Sequence, residues 1–146
     1  MLSSLIQFVS NLCYGTGKFR TLLRSENSND FFGTLKTLLI SVGEPEEDKE
    51  KNTDRIVLKQ SIMAFIGNLC MDSLLRSSIA SNNQGVLEEV YNQFDKDYKD
   101  KKALWQDVLV RELAVFVNVS IEASGLTFLL NTKPILPILD SLLTSL

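Results

Sequence analysis

Histidine is absent from the 146-residue sequence, and cysteine and proline are scarce, with two and three residues respectively. Histidine is the usual base of a catalytic triad and the commonest metal ligand, and two cysteines cannot by themselves complete a zinc site. No apolar run approaches the roughly 18 residues that a membrane-spanning helix needs. These absences predict a chain that is not an enzyme, does not span a membrane and holds neither a metal nor a cofactor.

The charges of the chain are nearly balanced. It carries 15 lysine and arginine residues against 18 aspartate and glutamate residues, a net charge of −3. Nucleic acids and anionic membranes attract a concentrated positive field, so this balance argues against both as partners. A local basic cluster, Lys18, Arg20 and Arg24, keeps nucleic-acid binding open as an alternative. The apolar amino terminus has no basic residue before Lys18, which favours a helix of the fold over a signal peptide and predicts an intracellular protein.

The sequence contains three copies of a short apolar motif around an asparagine, here called the asparagine frame. The frame is FVSNLC at 8–13, FIGNLC at 65–70 and VFVNVS at 115–120, so that Asn11, Asn68 and Asn118 are equivalent. An interval of about 50 to 57 residues is typical of helical-repeat proteins, in which each unit buries its apolar face only by stacking on its neighbours.

Apolar residues spaced three and four apart predict helices throughout, and no strand is predicted. The expected helices are long ones over 2–13, 54–71 and 105–121, short ones over 18–25, 73–81 and 124–131, and medium ones over 30–42, 83–94 and 134–146. We therefore predict a single domain over 1–146, with repeat units at approximately 1–42, 54–94 and 105–146. Charged inserts at 43–53 and 95–104 separate the units and are expected to be solvated loops or frayed helical extensions.

The two cysteines, Cys13 and Cys70, occupy equivalent places in the first two frames. Equivalent positions on stacked helices lie roughly 8 to 10 Å apart, whereas a disulfide needs α-carbons within about 7 Å. We therefore expect buried, reduced thiols rather than a disulfide.

The order of long, short and medium helices, together with the asparagine frames, resembles the armadillo repeat, a relative of the HEAT repeat. The segment ILPILDSLL at 135–143 is similar to the Leu-Pro-x-Leu-x-x-Leu-Leu pattern of the family's second helix, and KFRTLL at 18–23 resembles its first. The resemblance implies an all-α, right-handed, armadillo-like solenoid of about three imperfect repeats. Family members that hold extended peptides commonly carry a tryptophan four residues before the asparagine, where this chain has Gln7, Ala64 and Ala114.

The asparagines mark the predicted binding groove. Residues four and seven positions before each asparagine share its side of the helix, so stacking would align them in a ladder. The predicted groove residues are Ser4, Gln7, Asn11, Ser61, Asn68, Arg111 and Asn118. In the family such asparagines hydrogen-bond the backbone of an extended peptide. The alternative is that each asparagine ties down a neighbouring loop, since a buried amide needs partners of its own.

A second predicted surface is the apolar end of the last helix. It comprises Leu139, Leu142, Leu143 and Leu146, and the first helix is expected to present a similar apolar end with Leu2, Leu5, Ile6 and Val9. Solenoids usually carry polar caps on their end units, and an uncapped apolar end becomes an association surface. The chain would then be a homo-oligomer or continue into a longer solenoid.

The function expected from the sequence is a non-catalytic scaffold or adaptor for protein–protein interaction. It would bind a partner helix or extended peptide through the groove or through the apolar ends, in the cytoplasm or on the cytoskeleton, with the nucleus as an alternative location. One alternative function is an internal architectural segment of a larger solenoid, for example a centriolar or ciliary scaffold, with no ligand of its own. The other is nucleic-acid binding through the basic cluster.

Overall fold

The computed structural model describes residues 2–15, 17–23, 28–44, 49–100 and 105–144. Within these ranges helices are the only regular secondary structure, and no strand occurs in them. The all-α fold class is therefore confirmed. Arg24 and Leu146, which belong to two of the predicted surfaces, lie outside the described residues.

Each asparagine-bearing helix is followed by a short helix and then by a further helix. The α-helices are α1 (Leu2–Gly15), α2 (Gly17–Leu23), α3 (Ser28–Gly43), α4 (Lys49–Leu69), α5 (Ser73–Ala80), α6 (Gln84–Asp100), α7 (Trp105–Val119), α8 (Ala123–Thr127) and α9 (Leu136–Thr144). A π-helical turn, Phe128–Thr132, continues directly from α8. This order agrees with the one that the apolar spacing predicts.

The asparagine-bearing helices pack one on the next, α1 against α4 and α4 against α7. A second set of contacts joins α3 to α6, and α6 also packs against α7. Two side chains of α6 reach the last part of the chain: the hydroxyl of Tyr91 donates to the carbonyl oxygen of Pro134, and the hydroxyl of Tyr98 hydrogen-bonds that of Ser141. Helix α9 is therefore held beside α6.

The core lies between these two sets of helices. Leu39 of α3, Ile66 of α4 and Phe94 of α6 are completely buried, and Phe116 of α7 nearly so. The rings of Phe94 and Phe116 meet edge to face with centroids 5.3 Å apart. Burying one large apolar side chain stabilises a fold by roughly 1.5 to 3 kcal/mol, so this continuous core is the main stabilising element.

The chain bends sharply after α7. Gly125 of α8 is buried against the end of α7, where an added Cβ would lie 2.2 Å from the carbonyl oxygen of Val119, so that only glycine fits.

Among the described residues no single helix has the length and apolar composition to cross a membrane. The segments Ala123–Thr132 and Leu136–Thr144 reach that length and composition only when taken together, and the chain bends by 72° between them.

Much of the charged insert sequence is helical. Helix α4 already begins at Lys49, and α6 continues to Asp100. The second insert is also attached to the interior, because Asp97 accepts a hydrogen bond from the ammonium group of Lys59, which is buried. Lys59 also lies 3.6 Å from an oxygen of Glu112, which is fully buried on α7. Lys59, Asp97 and Glu112, here called the ion cluster, thus join α4, α6 and α7.

Glu112 is the least satisfied member of the ion cluster, since neither of its oxygens accepts a hydrogen bond from a described residue. Burial raises the pKa of Glu112 well above its ordinary value, Lys59 opposes that shift, and the carboxylate of Asp97 adds to it. A raised folded-state pKa means that the folded protein binds the proton more tightly than the unfolded chain does. The protonated Glu112 therefore adds to the free energy of unfolding. This contribution is complete below the ordinary glutamate pKa of about 4.3 and is lost as the pH rises through the folded-state pKa.

We therefore expect Glu112→Gln to reduce the loss of stability at higher pH, because glutamine keeps the shape of the side chain and cannot ionise. The measurement is the free energy of unfolding by urea from about pH 5 to about pH 8.5, which reports linked proton uptake. Glu88→Gln removes a carboxylate at a half-exposed position of α6, 3.7 Å from Lys133, and is the matched control, which should not reproduce the change made by Glu112→Gln. Identical pH profiles for all three proteins would contradict this account of Glu112.

Candidate functional site

An open groove with a volume of about 410 Å³ crosses α1, α4 and α7 on the side of the asparagines. It is lined by Gln7, Ser10, Asn11, Met63, Ala64, Gly67, Asn68, Met71, Arg111, Ala114 and Asn118. The structure therefore brings together residues of all three predicted repeat units, including most of the predicted groove residues.

Ser4 and Ser61 are the predicted groove residues that do not line the groove. Ser4 is exposed on the first turns of α1. The hydroxyl of Ser61 donates to the carbonyl oxygen of Val57, one turn earlier in its own helix, at 3.0 Å. Both stand seven residues before the asparagine of their helix, about two turns along the helix axis and beyond the cavity. Arg111 stands at the same distance from Asn118, but its side chain is long enough to reach the cavity.

The asparagines connect each helix of the row to the preceding one. Asn118 donates through Nδ2 to the carbonyl oxygen of Gly67 at 3.2 Å. Asn68 donates through Nδ2 to the hydroxyl of Ser10 at 2.8 Å and lies 3.4 Å from the Ser10 carbonyl oxygen. In both cases the acceptor is the residue just before the preceding asparagine. Both acceptors lie within helices rather than in loops.

The side-chain oxygens of these asparagines are not used in the bonds between helices. The Oδ1 atoms of Asn68 and Asn118 accept no hydrogen bond from a described residue, and both side chains are partly exposed to the groove. Asn11, at the equivalent position of α1, is exposed and has neither amide atom paired within the described part of the chain. The groove thus presents amide oxygens that are fixed in orientation by the bonds of their own Nδ2 atoms.

Arg111 is the one charged residue among the described residues that line the groove. Its side chain is exposed, and it makes no hydrogen bond or ion pair with any described residue. A guanidinium group offers five donors in a planar fork that fits a carboxylate. The groove therefore combines neutral hydrogen-bonding groups with one unengaged positive charge.

The predicted apolar end is smaller than the sequence indicates. Leu139 and Leu142 of α9 are partly buried and pack against the core, and Leu143 is exposed. Leu146 lies outside the described residues. A different apolar surface, which the sequence analysis missed, lies on α7 and directly after it, where Val110, Val117 and Ile121 are about two thirds exposed. Its signal in the sequence is the helical spacing of 110, 117 and 121, which overlaps the spacing of the core residues.

The predicted basic cluster is partly engaged within the protein. The guanidinium Nε of Arg20 lies 3.4 Å from a carboxylate oxygen of Asp72. Asp72 also caps α5, accepting from the backbone amides of Leu74 and Leu75. Lys18 is exposed. Within the described residues the basic cluster is therefore reduced to one unneutralised lysine.

Cys70 is buried and free, as predicted for a reduced thiol, and the Cys13 side chain lies outside the described part. Burial raises the pKa of the Cys70 thiol to about 12, although the charge of Arg76 opposes the shift. The thiolate needed for nucleophilic or metal chemistry is therefore scarce at neutral pH. Within the described ranges no group of three or more cysteine, aspartate or glutamate side chains is placed to hold a metal ion.

No protein-family model, curated protein or solved structure matches the chain. The armadillo resemblance therefore depends on the sequence frames and on the order of the helices. The geometry of the groove is the main evidence on function.

Proposed function

We propose that the chain is a right-handed, armadillo-like solenoid of three imperfect repeats, acting as a scaffold that binds an extended segment of a protein partner in its groove. The packing of α1 on α4 and of α4 on α7, with equivalent asparagine bonds at both contacts, supports the repeat architecture. A rigid, preformed surface loses little conformational entropy on binding, which favours recognition by such a scaffold.

The observation that carries the proposal is the set of oriented amide oxygens on successive helices. Every residue of an extended peptide except proline offers one backbone N–H donor. Packed helices lie about 8 to 10 Å apart and an extended chain advances about 3.3 Å per residue. Asn68 and Asn118 would therefore bind backbone groups roughly three residues apart, which one extended segment spans without distortion.

Arg111 supplies the selectivity of this groove. An unpaired guanidinium favours a carboxylate, and no described groove residue carries a negative charge that would repel one. The preferred partner segment is therefore extended and has an acidic residue near the position of Asn118.

The architectural alternative, a centriolar or ciliary scaffold segment without a ligand, has one observation in its favour. The bonds of Asn68 and Asn118 to the preceding helices give both residues a structural role that needs no partner. Nucleic-acid binding is less well supported, because Arg20 is close to Asp72 and the net charge is −3. An intracellular location, in the cytoplasm, on the cytoskeleton or in the nucleus, belongs to the proposal.

The test is selection of binders from a random peptide display library on the immobilised protein, followed by affinity measurement on single peptides. We expect acidic peptides that lose about tenfold or more in affinity with Arg111→Glu, because a hydrogen-bonded ion pair worth about 1.5 to 3 kcal/mol becomes a repulsion. Lys96→Glu makes the same charge change at an exposed position outside the groove and should leave affinity unchanged.

Both variants should nearly retain the melting temperature of the original protein, since Arg111 has no described partner to lose and Lys96 loses only an exposed ion pair with Glu44, worth about 1 kcal/mol or less. A library that yields no binder, or binders that Arg111→Glu retains at full affinity, would overturn the groove proposal. If Lys96→Glu lowers peptide affinity as much as Arg111→Glu does, the loss is a general charge effect, and the groove proposal is overturned as well.

A further inference from the structure

The row formed by α1, α4 and α7 has an apolar face at each end that no described residue covers. At one end Val110, Val117 and Ile121 are 65%, 66% and 67% exposed. At the other end Leu5 and Phe8 of α1 are 56% and 59% exposed. Contiguous exposed apolar side chains mark association surfaces far more often than isolated ones do.

The face at the α7 end, here called the tail face, is continuous. Val110 and Val117 are seven residues apart, which places them on one side of α7, and Ile121 follows in the turn directly after the helix. All three are exposed. Glu112, which meets Lys59 of α4, and the buried Val115 lie on the opposite side by the same spacing. The tail face is therefore the side of α7 that points away from α4.

The face at the α1 end, here called the head face, has the positions by which the later helices pack. Counted from the asparagine, Leu5 and Phe8 are equivalent to Ile62 and Phe65 of α4 and to Glu112 and Val115 of α7. Those four counterparts are buried. In α1 the same positions are apolar and no described residue covers them.

The composition of α1 agrees with a helix that is covered on both sides. Its residues, Leu2–Gly15, include no charged side chain. A helix with one face in water usually carries charged or polar residues on that face, and the polar residues Gln7, Ser10 and Asn11 of α1 lie at the groove rather than on the head face.

We propose that the tail face of one molecule is covered by the head face of a second copy, so that the chains associate head to tail. The contact would repeat the packing of α1 on α4 and of α4 on α7, with α1 of the second copy in the place that follows α7. The match lies in the head face, whose counterparts on α4 and α7 are buried, and in Val117, which occupies the position at which Ser10 and Gly67 bind the following helix.

The asparagine bonds extend this correspondence. Asn68 donates to Ser10 and Asn118 donates to Gly67, each on the preceding helix. The residue equivalent to Ser10 and Gly67 on α7 is Val117. In the proposed contact the unpaired amide of Asn11 in the second copy donates to the carbonyl oxygen of Val117 in the first, which also accepts from the Ser120 hydroxyl at 2.8 Å.

A head-to-tail contact is heterologous, since the two molecules use different faces, and each new copy leaves one face of each kind open. The assembly is therefore predicted to grow with concentration rather than to stop at a dimer. Neither Val117 nor Phe8 lines the groove, but Asn11, which the contact engages, does, so the contact adjoins one end of the groove.

The test uses two variants, each blocking one face. Val117→Glu places a charge in the tail face and leaves the head face intact, and Phe8→Glu does the reverse. Mass is measured over a concentration series by sedimentation velocity or by light scattering. Both side chains are exposed in the single molecule, so both variants should fold, and Val110→Glu with Leu5→Glu is a second pair for the same purpose.

We expect the original protein to show an average mass that rises with concentration beyond that of two chains, and each variant alone to remain at the mass of one chain. An equimolar mixture of the two variants should form a species of two chains and no larger, because the intact tail face of one meets the intact head face of the other. Leu74→Glu, on α5 at 59% exposure and outside both faces, is the matched control and should associate like the original protein.

A single-chain mass for the original protein at all concentrations would overturn the proposal. A dimer that does not grow, or a mixture of the two variants that stays monomeric, would show that the faces do not pair in this way and would overturn it too. Association that both variants retain would place the contact elsewhere. If the protein binds peptide in the groove but keeps the mass of one chain at all concentrations, this inference is wrong and the groove proposal is unaffected.

Discussion

Replacing Phe94 by alanine is expected to lower the free energy of unfolding by about 3 to 5 kcal/mol, among the largest effects of any single substitution in the chain. Phe94 is completely buried on α6, and its ring meets that of Phe116 on α7. The loss combines the transfer energy of the ring with the cavity left behind. For a chain of this size the melting temperature should fall by roughly 10 °C.

Urea unfolding followed by circular dichroism measures this effect, and Leu74→Ala is the matched control. Leu74 is also a large apolar residue of the middle part of the chain, but it is exposed, so its removal should cost less than about 0.5 kcal/mol. A loss of under about 1 kcal/mol for Phe94→Ala would mean that α6 and α7 do not share one packed core.

Replacing Lys59 by methionine is expected to cost about 3 to 5 kcal/mol, for an electrostatic reason. The ammonium group of Lys59 is buried, hydrogen-bonds Asp97 and is the nearest positive charge to Glu112. Its removal leaves Asp97 and the fully buried Glu112 without a cation beside them among the described residues. Leaving a buried charge without its partner is far more costly than the net value of the intact pair.

The double variant Lys59→Met/Glu112→Leu separates this mechanism from simple loss of packing. If the cost arises from the uncompensated carboxyl group, the second substitution should restore most of the stability, since apolar replacements of buried ion pairs are often neutral. Equal and additive losses from the two substitutions would show that the ion cluster is not coupled as described.

The helices and the side of each that bears the asparagine could be predicted from the sequence, because both depend on local periodicity. The spacing of three and four places Gln7 and Asn11 on one side of α1, and Arg111 and Asn118 on one side of α7. These residues do line the groove. The acceptors of the asparagines could not be predicted, because Ser10 lies 58 residues from Asn68 and only the packing of α1 on α4 brings the two together.

The charged insert at 95–104 makes a buried contact that could not be predicted from the sequence. Its alternating lysine and aspartate residues are typical of a solvated segment, and the sequence offers no sign that Asp97 has a buried partner. That partner, Lys59, lies 38 residues earlier on α4, directly after Ile56, Val57 and Leu58. The pairing attaches the insert to α4, and α6 continues to Asp100.

The apolar end shows why a helical spacing alone does not tell which side of a helix is covered. On α9 the sequence offers a surplus of leucines, and Leu139 and Leu142 turn out to pack on the core. On α7 two apolar stripes overlap, one that includes Phe116 in the core and one that includes Val117 on the surface. Which stripe is inside depends on the positions of α4 and α6.

The most direct test of the central claim, that the asparagine groove is the binding site, is a nuclear magnetic resonance titration of the labelled protein with one peptide from the display selection. The groove proposal predicts shifts of the side-chain amide signals of Asn68 and Asn118 and of the Nε signal of Arg111, with the tail face undisturbed. Shifts confined to the tail face, or a bound peptide that leaves these three side chains unchanged, would contradict it.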